Sequence, residues 1–152
     1  MVRSFLLFSA LLVSKTIQAQ CTGLPLGDLQ YLQRANPDQK DNKILDLGFD
    51  LRSEFQNRGA FIRGYSKCWN TTIKQNTVYD QLIWWNQSNN SITWFTRNEK
   101  QYSSLRRSIV ERKGSGKVTE NPDFIVGQQF RYRFGGQKVD GIDYFFVTIS
   151  SR

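Results

Sequence analysis

Hydrophobic positions change their spacing at Phe49. Before it, Leu29 and Leu32, then Ile44 and Leu45, recur at helical intervals. After it, aromatic, aliphatic and polar residues alternate with the period of two that marks half-buried strands. The first spacing predicts a short helix capped by Asp28 and running to about Ala35. Asn36-Pro37-Asp38-Gln39 then starts a second helix to about Leu47: Asn36 is the N-cap, Pro37 takes the first helical position and Gln39 reaches back. Gly48 supplies the C-terminal cap.

The alternating part predicts strands near 49–55, 60–68, 78–85 and 91–96. The last two form a hairpin across the polar turn Asn86-Gln87-Ser88-Asn89-Asn90. Pairing Trp85 with Ser91 would put Leu82, Trp84, Ile92 and Trp94 on one face, the better core candidate, and Ile83, Trp85, Thr93 and Phe95 on the other. Asn98 with Gln101 repeats the capping pattern and opens the longest helix, about 99–112, with Tyr102, Leu105 and Ile109 along one side. Gly114-Ser115-Gly116 ends it. A connection through Pro122 leads to strands at 128–134 and about 142–150. In the first, Phe130, Tyr132 and Phe134 oppose Arg131 and Arg133. In the second, Phe145, Val147 and Ile149 form a buried face. This order predicts an α+β domain: a mainly antiparallel sheet of about five to six strands, with two N-terminal helices and one longer mid-chain helix packed on one side.

The first residues follow another rule. Arg3, an apolar run from Phe5 to Val13 and the ending Ile17-Gln18-Ala19 read as a secretory signal peptide, cleaved after Ala19. No stretch approaches the roughly 20 apolar residues of a membrane-spanning helix. The expected product is an exported (periplasmic or extracellular) single globular domain, residues 20–152, that is not transmembrane. Losing Arg3 and Lys15 lowers the net charge from +8 by two, so the mature chain stays basic. Export favours joining the two cysteines, Cys21 and Cys68, in a disulfide. The competing reading of Cys21 is an acylated lipoprotein cysteine, but Gln20 stands where that signal wants a small residue. Two cysteines and no histidine do not make a metal site, and no cofactor is expected.

The succession Ile44-Leu45-Asp46-Leu47-Gly48-Phe49, Leu82-Ile83-Trp84-Trp85, Ile92-Thr93-Trp94-Phe95-Thr96-Arg97-Asn98, the Tyr102-to-Ile109 helix and the closing Tyr144-to-Ile149 strand resembles small exported α+β domains of unknown function from Bacteroidota. The signal peptide ending in Ala-Gln is similar to theirs. The resemblance covers about residues 30–150 and implies no catalytic residues.

The absence of histidine removes Ser-His-Asp and Cys-His catalysis and most zinc or iron sites. Paired-carboxylate catalysis needs only two of the thirteen acidic residues. The nearest pairs, Asp50 with Glu54 and Asp140 with Asp143, read more simply as a solvated strand and an Asp-Gly turn. No catalytic residue is assigned. Adjacent Trp84 and Trp85 must point to opposite faces of a strand, so one of them is a candidate for exposure unless helices cover both. Trp85 with Ile83 and Phe95, and the cations Arg131 and Arg133, form the candidate ligand-binding face. A second basic group, Arg106, Arg107, Arg112, Lys113 and Lys117, reads as a solvated helix side. Three sequons, at Asn70, Asn86 and Asn89, matter only in a eukaryotic secretory pathway. These features predict a non-enzymatic, exported binding module for another protein or an acidic envelope or polysaccharide component, with no nucleic acid expected. An immunity-type or inhibitor protein is one version of it. The alternatives are a carbohydrate-active enzyme using paired carboxylates and a structural envelope protein without a ligand.

Overall fold

The computed structural model describes residues 21–73, 76–112 and 123–152. The signal-peptide reading of residues 1–19, and Lys113 and Lys117, lie outside them. Helix α1 (Leu26–Arg34) starts after Pro25, two residues before the expected cap. Asp28 therefore sits within the first turn, where its carboxylate meets Lys43 of the next helix at 2.8 Å. Helix α2 (Pro37–Asp46) forms as its signals dictate: the Asn36 side chain accepts from the Gln39 N–H at 2.9 Å, and Gln39 Oε1 accepts from the Asn36 N–H. Gly48 ends the turn at φ +82°, a conformation that costs glycine nothing, and its N–H donates to Leu45.

Seven antiparallel strands follow: β1 (Asp50–Asn57), β2 (Ala60–Ile73), β3 (Asn76–Asn86), β4 (Ser91–Thr96), β5 (Phe124–Val126), β6 (Phe130–Val139) and β7 (Ile142–Ser151). They form one sheet in the order β1-β2-β3-β4-β7-β6-β5. Helix α3 (Glu99–Glu111) lies between β4 and β5 in the chain. The expected fold class, with five to six strands, is thereby corrected to a seven-stranded sheet with three short helices. The added strand, β5, has only three residues and borrows its conformation from pairing, Ile125 opposite Tyr132. A segment that short carries no readable alternation.

The hairpin also needs a correction. Asn86 pairs with Ser91 and Trp85 with Ile92, so the turn is Gln87–Asn90 and shorter by one residue than expected. Asn86 Oδ1 accepts from the backbone N–H groups of Ser88 and Asn89, and Asn90 adopts φ +54°. A one-residue change of register sends every side chain of the partner strand to the other face. Ile83 and Trp85 therefore share a face with Ile92 and Trp94, while Leu82 and Trp84 share theirs with Thr93 and Phe95.

All three helices cover the first of these faces. Leu29 and Leu32 of α1, Ile44 of α2, and Tyr102, Leu105 and Ile109 of α3 pack with Tyr65, Ile83, Trp85, Ile92, Trp94, Tyr132, Phe134, Val147 and Ile149 in one core. On the opposite face a second cluster forms from Phe95, Tyr144 and Phe146, with Leu82, Trp84, Val139 and Ile142 against them. No described helix lies over it. The sheet thus carries large apolar side chains on both faces, but the described helices cover only one.

Candidate functional site

The rings of the uncovered face come from four strands, β1, β3, β4 and β7. β3 and β4 bring Trp84 and Phe95 together, their ring centroids 4.8 Å apart and edge to face. β1 adds Phe55, whose ring meets Trp84 at 5.3 Å, and β7 adds Tyr144 and Phe146 beside Phe95. Edge-to-face contacts fix the angle of each ring, so the cluster presents a set surface. Phe95 is 1% exposed, whereas Trp84 and Phe55 are half-buried. The ring surface left to a ligand therefore belongs to Trp84 and Phe55.

Beside these rings lies a half-open concavity of about 600 Å³, within the usual range of small-ligand sites. Phe55, Leu82, Trp84, Val139, Ile142 and Tyr144 give it an apolar side, and Arg52, Ser53, Ser66, Lys138 and Asp140 a polar one. Gly64 keeps the space open: a Cβ there would come within 2.8 Å of Ser53 Oγ and 3.5 Å of the Phe55 ring. Arg52 is fixed in position. Its Nε donates to Ser66 Oγ at 2.9 Å, one terminal nitrogen reaches Asp50 at 3.3 Å, and the guanidinium lies 5.0 Å from the Tyr79 ring centre. The Tyr144 hydroxyl donates to the Tyr79 carbonyl at 2.7 Å, and burial pushes its pKa up, so it remains a neutral phenol.

Strand β6 carries cations along the same face. Phe130, Tyr132 and Phe134 turn to the helices, so Arg131 and Arg133 turn away from them. The Arg133 guanidinium lies 5.4 Å from the Phe146 ring centre, which joins it to the aromatic cluster. Among the described residues, Arg131, Arg133 and Lys138 form no ion pair. Gly135 permits the Phe146 ring to lie against the backbone, since a Cβ there would approach two ring carbons to 2.8 and 2.9 Å.

The face chosen from the sequence is thus divided. Phe95, Arg131 and Arg133 lie on the uncovered side, but Ile83 and Trp85 lie beneath the helices, at 0% and 4% exposure. Trp85 is held in a cationic setting, with Lys40 Nζ 4.7 Å and the Arg63 guanidinium 5.9 Å from its rings. Lys40 is fully buried. It donates to Asn90 Oδ1, and burial lowers its pKa to about 8 against the opposing pull of Asp41. Arg63 and the Tyr65 hydroxyl both bond Asp41, and burial first, then that bond, raises the Tyr65 pKa. Sequence reasoning missed Arg52, Phe55, Tyr144 and Lys138. The only signal for Phe55 and Tyr144 was parity with Trp84 along paired strands, which depends on the register; Arg52 reaches the concavity from the β1 bulge and Lys138 from beside the β6–β7 turn.

The disulfide Cys21–Cys68 is present, with Cα atoms 5.9 Å apart. It anchors the start of the described chain near buried Gln81, whose amide donates to the Thr22 carbonyl at 2.7 Å. Gln101 was expected to close a capping box with Asn98. Its side chain instead joins Thr96, Gln81 and the Cys21 carbonyl, while Asn98 alone caps α3. Of the α3 cations, Arg106 sits 3.7 Å from Asp123 and over the Phe134 ring, and Arg112 bonds Gln30.

The acidic pairs do not converge. Asp50 and Glu54 are exposed on β1 and are taken up by Arg52 and Arg63. Asp140, in the β6–β7 turn at φ +51°, is the one carboxylate lining the concavity among the described residues. No group of three or more metal-ligating side chains and no helix long and apolar enough to cross a membrane occurs among the described residues. Compared with known protein families, curated proteins and solved structures, the chain matches none, so its site stands on its own geometry.

Proposed function

We propose that the chain is an exported, non-enzymatic binding module that takes a cell-envelope component on the helix-free face of its sheet. One observation carries this reading: a fixed aromatic cluster with the half-buried Trp84 ring borders a half-open concavity of about 600 Å³. A sheet face that only had to be solvated would alternate to polar residues, as antiparallel sheets with one wet side do. Large apolar side chains retained on such a face mark an interaction surface. The leader-like residues 1–19 and the disulfide agree with work outside the reducing cytosol.

A glycosidase-type alternative would require two carboxyl groups on either side of a bound sugar. The concavity offers Asp140 alone among the described residues, which favours binding over hydrolysis.

The test is affinity capture from envelope extract by the oxidised protein, beside Trp84→Ala and a Val110→Ala control on the helix side. Val110 is 49% exposed on α3, away from the aromatic face. Retention of one envelope component by the wild type and the control, with its loss by Trp84→Ala at unchanged circular dichroism, is the expected result. Equal retention by all three proteins, or retention by none, overturns the reading.

A further inference from the structure

Resting on that reading, we propose that the ligand is an acidic polysaccharide, lying across the uncovered face with sugar rings against Trp84 and its anionic groups along Arg131 and Arg133. The argument combines shape with charge. A small apolar ligand would need an enclosed cavity, but this concavity is half open, and Trp84 at its border lies in one row across the sheet with Thr93, Thr148 and Arg133. A chain can enter and leave it. On a strand, Arg131 and Arg133 stand about 7 Å apart on one face, a row of charge better matched to a repeating anion than to a single one. Neither they nor Lys138 form an ion pair among the described residues, while Arg52, Arg63 and Arg97 do. Arg133 is held against Phe146, so one cation of the row is joined to the ring cluster containing Trp84.

The rest of the site suits a hydroxyl-rich chain. Trp84 and Phe55 offer ring surface, and Ser53, Thr77 and Asp140 offer hydrogen-bonding groups along the same lining. Aromatic stacking supplies contact area at little entropic cost, and polar groups around it select the orientation. A nucleic acid would satisfy the cations equally, but stacking would then involve bases and depend on single strands. A lipid would leave the serine and threonine groups without partners.

The experiment titrates the oxidised full-length mature protein with polygalacturonate, with neutral dextran, and with single-stranded DNA as a phosphate polyanion, following tryptophan emission and calorimetric heat. Polygalacturonate should bind, dextran should bind at least tenfold more weakly, and the polygalacturonate affinity should fall steadily as salt rises. Arg131→Gln/Arg133→Gln and Trp84→Ala should each weaken it by roughly tenfold. Arg107→Gln, on the exposed side of α3, should leave it unchanged. Dextran binding as tightly as polygalacturonate, or an arginine pair without effect, overturns the acidic class. DNA binding equal to polygalacturonate with no dependence on Trp84 reduces the contact to plain electrostatics and also overturns it. If polygalacturonate fails while envelope capture still depends on Trp84, the ligand class is wrong and the binding module stands. Failure of both removes both.

Discussion

Buried Lys40 makes the stability of this protein rise with pH over a range where most proteins begin to weaken. Its ammonium is fully buried beneath α2, with Asn90 accepting its hydrogen bond and the Trp85 ring 4.7 Å away, and its pKa falls from 10.5 to about 8. The unfolded chain binds that proton more tightly than the native one, so folding is opposed below the native pKa. The opposition fades between the two values. Integrating over pH 7 to 9.5 with these values gives about 2 kcal/mol of added stability. Lys40→Met keeps much of the volume and removes the titration, so its unfolding free energy should stay flat over the same interval. Tyr65, whose pKa is raised by burial and by Asp41, works in the opposite sense above pH 10, which is why the upper limit is 9.5. Urea unfolding at a series of pH values reads both proteins, and subtracting the two profiles isolates Lys40 from every other group. Parallel profiles would refute the assignment of the buried charge to Lys40.

Three other outcomes follow from the packing. Gly135→Ala should destabilise by about 1–3 kcal/mol, because the new methyl group must displace the buried Phe146 ring; an unchanged melting temperature would show that the ring can shift freely. Replacing Cys21 and Cys68 together by serine should cost on the order of 4 kcal/mol, since the bridge spans a separation of 47 residues; the midpoint in denaturant checks this against the oxidised wild type. Asn36→Ala removes the acceptor that starts α2 and should cost about 1 kcal/mol in thermal unfolding, with Asn36→Asp restoring most of it.

Much of this architecture was legible in local chemistry. The Asn36-Pro37-Asp38-Gln39 signal acts through neighbouring atoms, and so does the Gly48 cap, so both could be read without knowing the fold. The alternation of Phe130 through Phe134 likewise survived, because Arg131 and Arg133 fix its direction. The aromatic face was not legible, for a physical reason. Trp84 and Trp85 are equally large, and the choice between them depends on a single residue of turn length, set by the Asn86 side chain bonding to Ser88 and Asn89. Arg52 and Phe55 reach the concavity through a bulge in β1, where Leu51 opposes Tyr65 and Ser53 opposes Gly64. Such a break in pairing belongs to two strands together. β5 exists only as a partner of β6, and no property of Phe124–Val126 alone announces it.

The strand order carries a kinetic consequence. β1 to β4 form one meander and β5 to β7 another, each made of hairpins between neighbours in the chain. A single pairing, β4 with β7, joins them, and there Thr96 must find Phe145 across the whole of α3 and the segment beyond it. Local hairpins close quickly, whereas a distant pairing must first overcome the entropy of the intervening loop. The apolar layers on both faces run through that seam, Trp94 opposite Val147 on one side and Phe95 opposite Phe146 on the other. The β4–β7 pairing is therefore expected to form late, so substitutions along it should slow refolding measured by stopped flow. The uncovered aromatic face, whose rings come from both meanders, is completed only by that pairing.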